Sequence, residues 1–407
     1  MNTPEPRPDY VTLPSDAGIL SNQGIALRKA GQLEKALDYF LEAEKLDPLN
    51  PTWRIHTANV QVELGDMENG IQRLQSVVRE DPGNPQAHWQ LAYAWLLQRR
   101  YAEAWPEFAW RWRCPNFPSR RLPTLKPAWD GKSDCQRLLL WSEQGLGDEV
   151  MMTSLIPEAQ LWLAKQGGKT ELLVDGRLVG LLQRAIPGLP IHPWERGVSH
   201  LRWDQHLPLG DLGRHLRPSA ASFPRHLPAW LKADPCRVAE LAAELPRTKS
   251  FRCGLSWRSE AVTLGKQKSL PLPMLAEAIA QPGAELVCLQ YGDVEEELLE
   301  LKQKNGITVK RVTGLNLRRD LEGQAALINS CDLVVSISNA TAHISGAMGK
   351  PTWTLLHQVP YWPWGLTGQT SPWQPKTRLF RQQKAGEWQE PLEEARRELH
   401  RWLQATR

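Results

Sequence analysis

Three segments of this chain hold residues whose types and spacing suit phosphate and proton chemistry. The first, DLVVSISNATAHISGAMGKPTWTLL, runs from Asp332 to Leu356. It reads as a buried strand over Leu333–Ile337, a polar turn at Ser338 and Asn339, a helix of small residues, and a second strand. Ser338 and Asn339 are N-cap types, whose side-chain oxygens accept from otherwise unpaired amides of a first turn. Ala340, Ala342, Gly346 and Ala347 let that helix lie close against a sheet, and Gly349 and Pro351 end it. Free N–H groups and a positive dipole end then point at the carboxyl edge of a parallel sheet, which is an anion site. His343 lies one turn beyond Asn339, so both side chains can face a ligand held there. A helix N-terminus disfavours the charged imidazole, so His343 reads as a neutral hydrogen-bonding group or as a packing residue.

The second segment, WSEQGLGDEV (Trp141–Val150), follows a strand. Gly145 and Gly147 permit a tight turn, and Asp148 falls in the first turn of the next helix. The third glycine of a dinucleotide fingerprint is absent. Asp148 is either a general base facing a cleft or the cap of its helix. The third segment is GLSWRSEAVTLGKQKSLPL (Gly254–Leu272). Ser256 and Arg258 leave a strand, and Lys266 and Lys268 follow on a loop with glycine. Converging Arg and Lys suit a diphosphate, although a solvated loop carries lysines as readily. There is no DxD, HExxH or GxSxG, which disfavours a metal-clamped transferase, a zincin and an α/β-hydrolase; neither metal nor cofactor is expected.

These segments need elements to position them. At 407 residues the chain should hold two or three domains. Its 49 basic and 45 acidic residues imply no strong attraction to polyanions, so nucleic acid is an unlikely partner. Six scattered cysteines without a CxxC pair suggest neither a disulfide framework nor zinc. The opening MNTPEPRPDYVTLPSD lacks a secretory pattern, and no apolar run nears the roughly 18 residues of a membrane helix. A soluble, cytoplasmic protein is expected. The 19 tryptophans, against six Phe and six Tyr, read mainly as packing groups.

In the N-terminal third, DPLNP (Asp47–Pro51) recurs as DPGNP (Asp81–Pro85), and Gly31 recurs as Gly65, each at an offset of 34 residues. Small residues recur where paired helices must cross: Gly24, Ala36, Ala43, Ala58, Gly70, Ala92 and Ala104. This helix–turn–helix period with a closing proline resembles the tetratricopeptide repeat. The third unit ends in YAEAWPEFAWRWRCPNFPSRR. That stretch reads as a basic aromatic patch or as an interdomain seam of Trp105, Phe108 and Trp112; the arginines form no continuous stripe, which favours the seam. From Gln136 onward RLLLW, ELLVDG, CGLSW, AELVCLQYG and DLVVSIS alternate with helical stretches, the pattern of parallel sheets covered on both faces. The expected organisation is a tail over 1–16, repeats over 17–118, a linker over 119–134, Rossmann-like domains over 135–247 and 248–390, and a C-terminal helix over 391–407. Two doubly wound domains should face each other across a cleft at the carboxyl ends of their strands.

LLLWSEQGLGDEV, GLSWRSE, KSLPL, LVCLQYGD, DLVVSISNATAHISGAMGKPTW and SPWQPKTRLFRQ, taken with the repeats, resemble the bacterial tetratricopeptide-repeat glycosyltransferases related to ADP-heptose:lipopolysaccharide heptosyltransferases. The resemblance implies a GT-B fold and a metal-independent, inverting transfer of a hexosyl or heptosyl group from a nucleotide sugar. The acceptor, a protein or glycan, would be recruited by the repeats. It implies Asp148 as the base, on an acceptor-side loop of Gln144, Gly145 and Gly147. It places Lys268 and Asn339, Ala340 and Thr341 at the donor diphosphate, with His343 beside them. Ser256, Arg258, Gln290 and Tyr291 complete the donor side. Ser338 stands where heptosyltransferases usually carry an Asp that contacts the donor sugar. The resemblance also implies that the final helix, about Pro391 to Thr406, crosses back to the first lobe. The rival reading is a non-catalytic repeat scaffold on a degenerate GT-B domain.

Overall fold

The computed structural model describes residues 16–261 and 265–405. The expected tail, but for Asp16, lies outside these residues, as do 262–264 in the loop leading to Lys268. The described residues form two compact units: one holds 16–95 with Pro106–Phe117, the other Leu96–Trp105 with those from Pro118 to 405.

The helices α1 (Asp16–Lys29), α2 (Leu33–Leu46), α3 (Pro51–Glu63), α4 (Met67–Glu80), α5 (Pro85–Leu97) and α6 (Tyr101–Phe108) follow the 34-residue period. Asn50 and Asn84, closing the recurring DPxN turns, accept the amides of Thr52 and Ala87 as N-caps. Gly31 and Gly65 turn the chain with φ of 80° and 90°. Small residues serve close crossing as expected: a Cβ on Gly24 would lie 2.7 Å from Phe40, and one on Gly70 2.7 Å from Val62. Bidentate Arg28–Glu63 and Arg54–Glu80 pairs tie α1 to α3 and α3 to α4.

The block expected over 17–118 is divided, because Trp105 turns its indole into the α/β unit. Its N–H donates to the Arg217 carbonyl at 2.7 Å, and its ring meets Trp362 and Trp373 edge-on. Phe108 and Trp112 instead sandwich the buried Arg111 guanidinium within the helical unit. The expected linker also carries structure: Ala128 bridges His206, and Trp129 is buried against Trp162.

Among the described residues the α/β unit has two sheets. The first, in order β3-β2-β1-β4, is parallel and joins β1 (Arg137–Trp141), β2 (Lys169–Val174), β3 (Ile191–Pro193) and β4 (Gln205–Pro208). Its helices are α7 (Leu146–Met152), α8 (Ile156–Ala164), α9 (Val179–Ala185) and α10 (Leu212–Leu216), and α11 (Pro235–Glu244) leads onward. The second sheet, in order β10-β11-β9-β8-β5-β6-β7, is parallel except for the β10–β11 hairpin. It comprises β5 (Phe251–Ser256), β6 (Ala284–Cys288), β7 (Val309–Lys310), β8 (Leu333–Ile337), β9 (Thr352–Leu356), β10 (Thr370–Ser371) and β11 (Gln374–Arg381). Between these strands run α12 (Gly265–Lys268), α13 (Leu272–Ile279), α14 (Glu295–Asn305), α15 (Leu321–Ser330) and α16 (Ala340–Ala347), and α17 (Gln389–Ala405) follows. The central strands β5, β8 and β9 are buried end to end, as expected of strands covered on both faces.

Each sheet has a topological switch point, between β1 and β4 and between β5 and β8, where loops diverge and leave a crevice. This is the two-lobed GT-B arrangement. The C-terminal helix departs from expectation. Leu392, Ala395 and Leu399 of α17 enter the core of the second sheet, and Trp402 meets Phe251 and Trp353. The apolar stripe of α17 finds its partner there, so it does not cross back to the first lobe.

Candidate active site

At the first switch point the chain leaves β1 through Glu143 and Gln144. Gln144 takes a left-handed φ of 63°, and its amide donates to the Ser119 hydroxyl at 2.7 Å. Such backbone persists in a non-glycine residue only where neighbours hold it. Gly145 follows as the N-cap of α7, and its amide donates to Asp148 Oδ2 at 3.0 Å. Asp148 therefore does cap its helix start, and its other oxygen, Oδ1, accepts the Tyr361 hydroxyl from the opposite lobe. Burial raises the Asp148 carboxyl above its usual range, against the opposing hydrogen bonds of Tyr361 and Gly145 and the charge of Lys268. Burial also lowers the Lys268 ammonium, while Asp148 supports its charge.

At the second switch point α16 packs on α7. A Cβ on Gly147 would come within 3.0 Å of the His343 ring, so glycine permits this approach. His343 is buried, stacked on Trp364 at 4.8 Å between centroids, and its Nδ1 has no hydrogen-bond partner among the described residues. Burial, reinforced by Lys268, pushes its imidazole down to about 3. It is neutral at physiological pH. Asp148, Gly147, Lys268 and His343 thus converge in the crevice between the lobes.

The amides of the α16 start are not free, contrary to the sequence expectation. Asn339 Oδ1 accepts from Thr341 and Ala342, at 3.0 and 3.4 Å, and Asn339 and Thr341 are buried. Ala340 is the partly exposed residue of this turn. A cap that satisfies its own helix so fully leaves the dipole but removes two donors. Ser338 is likewise engaged, accepting the Trp364 indole N–H at 2.8 Å.

Ser256 and Gln290 are likewise buried and engaged within the protein. Gln290 Oε1 accepts from Ser256, Trp257 and Arg258, and its Nε2 donates to the Arg258 and Tyr291 carbonyls. Asn339 Nδ2 donates to Ser256 Oγ at 2.8 Å, which closes a buried network across β5, β6 and β8. These three residues bind one another, so they hold the loops in place. Arg258 pairs with Glu297 and donates to the Asp293 carbonyl. Tyr291 lines a cavity of about 630 Å³ beyond β6 and β7, together with Gly292, Arg311, Asn316, Arg318 and Arg319.

Two further groups escaped sequence reasoning. Trp364, in YWPWG, reads only as part of the tryptophan excess and Tyr361 draws no reading at all, yet Tyr361 holds Asp148 and Trp364 holds Ser338 and His343. Glu149, next to Asp148, is buried and accepts the Asp175 amide at 3.0 Å. Burial pushes its carboxyl up from 4.5 to about 7, against the Asp175 amide and Ser142. The folded chain thus keeps a proton that the unfolded chain loses, and stability falls as pH rises between those two values. Glu149→Gln should stabilise the protein by roughly 2–3 kcal/mol at pH 8 and much less at pH 5. Urea melts at both pH values check this; an equal difference at each would refute it.

The architecture defines the class: helical repeats joined to a two-lobed α/β unit of GT-B type. Residues 17–50 and 55–111 match the tetratricopeptide repeat family. Over 398 residues, 92% of this chain, the sequence is 29% identical to Protein FlbA of Caulobacter vibrioides, and the match spans 66% of that relative. Among solved structures, E. coli ADP-heptose lps heptosyltransferase II aligns at 14% identity over 67% of this chain and 100% of its own, with a TM-score of 0.48. A glycosyl transferase family 9 protein from Veillonella parvula aligns at 10% identity over 66% of this chain and 96% of its own, also at 0.48. No helix among the described residues is long and apolar enough to cross a membrane.

Proposed function

We propose that the α/β unit is a glycosyltransferase that moves a sugar from a nucleoside-diphosphate donor to an acceptor hydroxyl, and that the repeats recruit the acceptor, a protein or glycan. One observation carries this reading: at the crevice where both sheets switch direction, Asp148 of one lobe feels the charge of Lys268 of the other, and its neighbour Gly147 lies against the His343 ring. The donor nucleoside takes the cavity beside Tyr291, Arg318 and Arg319. Its diphosphate lies between Lys268 and the α16 start, where Ala340 is the accessible residue. Neutral His343, with an unpartnered nitrogen, offers a hydrogen bond without adding charge.

In the reaction Asp148 takes the proton of the acceptor hydroxyl as that oxygen bonds to the anomeric carbon. The bond from that carbon to the diphosphate oxygen breaks on the opposite face, so configuration inverts. The nucleoside diphosphate leaves with its electron pair, and Lys268 and the helix dipole stabilise the charge that develops. Asp148 is suited to this task because burial raises its basicity above that of a solvated carboxylate.

A second reading, a non-catalytic scaffold that binds nucleotides, draws on the self-satisfied Asn339 cap and the engaged Ser338. Thermal shifts with ADP, GDP, UDP and CDP, followed by nucleotide release from matching sugar donors, separate the two. One nucleotide should raise the melting temperature, and Lys268→Ala should weaken its binding about 10–100-fold, since it removes a charge from a desolvated site. Binding without turnover of any donor would favour the scaffold. Absence of binding by all four would remove both readings.

A further inference from the structure

The turn glycines of the repeats have an odd successor. Gly31 and Gly65 stand 34 residues apart, and the next position at that offset is Arg99. Arg99 keeps the left-handed backbone of those glycines, with φ of 60°. For a residue with a Cβ this conformation is strained, and it survives where the side chain has other work.

That work is visible. Arg99 Nη2 donates to the carbonyls of Thr370 at 3.1 Å and Thr367 at 3.3 Å, and lies 3.5 Å from that of Trp364. Arg381 reaches the same loop, donating to Gly368, Gly365 and Trp364 at 2.7–2.8 Å. Gly365 is left-handed too, and a Cβ there would lie 2.7 Å from Arg99 Nε. No carboxylate pairs with either guanidinium among the described residues; backbone carbonyls alone hold two like charges together. Burial, then the charge of Arg99, pushes Arg381 down to about 10. A site that tolerates both a strained backbone and unneutralised charge is built for placement.

The loop being placed carries Tyr361, which donates to Asp148, and Trp364, which donates to Ser338 and stacks on His343. We propose that Arg99 is a positioning residue: with Arg381 it clamps the 361–370 loop so that Tyr361 and Trp364 hold Asp148 and His343 in register. It touches neither substrate. The inference rests on the transferase reading for its catalytic consequence, though not for the clamp.

The test is Arg99→Gly, which restores the residue type of the earlier repeats and relieves the turn. Melting temperature should hold or rise, and nucleotide affinity should stay within about twofold. Turnover should fall about tenfold, and the acid limb of the pH–rate profile should move up, as it should in Tyr361→Phe, because both loosen a hydrogen bond that favours ionised Asp148. Amide exchange in peptides covering 361–370 should quicken. Arg99→Lys should recover part of the turnover. Unchanged exchange and turnover would overturn the proposal, and so would a loss of turnover that merely tracks a lower melting temperature. If the unmodified protein turned over no donor, the transferase reading would fall, and the exchange experiment alone would decide for or against the clamp.

Discussion

Asp148→Asn should reduce turnover by about 10²–10⁴-fold while leaving nucleotide affinity nearly unchanged. The substitution keeps size and shape, and its amide oxygen can still accept the Tyr361 hydroxyl that Asp148 Oδ1 accepts. What it cannot do is take a proton. Without a base the acceptor oxygen must attack while still protonated, and the loss appears in kcat. In the proposed site the nucleotide is held by the other lobe, by Lys268 and the cavity near Tyr291, so its affinity reports a fold left intact. The pH profile gives an independent check. Asp148 works only when ionised, and burial raises its carboxyl; activity should therefore fall, as pH drops, at a higher pH than for a solvated carboxylate. Removing the field of Lys268 should push that limb higher still, since Lys268 favours the ionised form. The readout is nucleotide release with the donor selected by the thermal screen. Retention of more than a third of the original turnover would remove Asp148 from the mechanism.

The repeats and the alternation of strand and helix were legible because each is written in local periodicity. Gly31 and Gly65, the two DPxN turns, and the apolar runs of β1, β5 and β8 need only neighbours in sequence to be recognised. The short strands β3, β4 and β7 are not legible in that way. IHP, QHLP and VK exist because a longer neighbour supplies the ladder. In the candidate site, Asp148 and His343 stand out by residue type and position, whereas only the family resemblance separates Lys268 from Lys266. The fate of Gln290 and Ser256 could not, since polar residues at strand ends satisfy either a ligand or one another, and only tertiary geometry decides. Asn339 shows the same ambiguity from the other side. It was rightly read as an N-cap type, but a cap that binds its own amides withdraws the donors that the sequence reading offered to a ligand. Tyr361 was hidden because its partner Asp148 lies 213 residues away in the chain. Arg99 breaks a pattern otherwise set by glycine. Such local departures from a repeat are where a tertiary role was visible in advance.

Arg252→Ala should destabilise the second lobe by about 3–5 kcal/mol, the range for breaking a buried ion pair by removing one partner. Arg252 and Glu285 face each other in register on β5 and β6, and both are almost wholly buried. The guanidinium Nε donates to Glu285 at 2.6 Å, and its other nitrogens reach the Leu245 carbonyl and the Ser330 hydroxyl. Glu285 also accepts from Thr248 and Lys310. Burial alone would raise this carboxyl, but Lys310, Thr248 and Arg252 together outweigh it and hold it at about 2. A carboxyl held low stabilises the fold at pH above its ordinary value of 4.5, and that contribution disappears as pH falls towards 2. Truncating Arg252 leaves a buried carboxylate with one cation fewer, so the acid limb of the stability curve should move up as well as the plateau down. The pair lies near the amino ends of its strands, away from the crevice, so residual folded protein should bind nucleotide with unchanged affinity. Replacing both partners with apolar residues of similar volume should recover most of the loss, because no buried charge is then left unpaired. Urea melts from pH 3 to pH 8, with amide exchange in β5 and β6, measure all of this. A loss below 1 kcal/mol for the single substitution would mean that water reaches Glu285 and that the pair is not sealed from solvent.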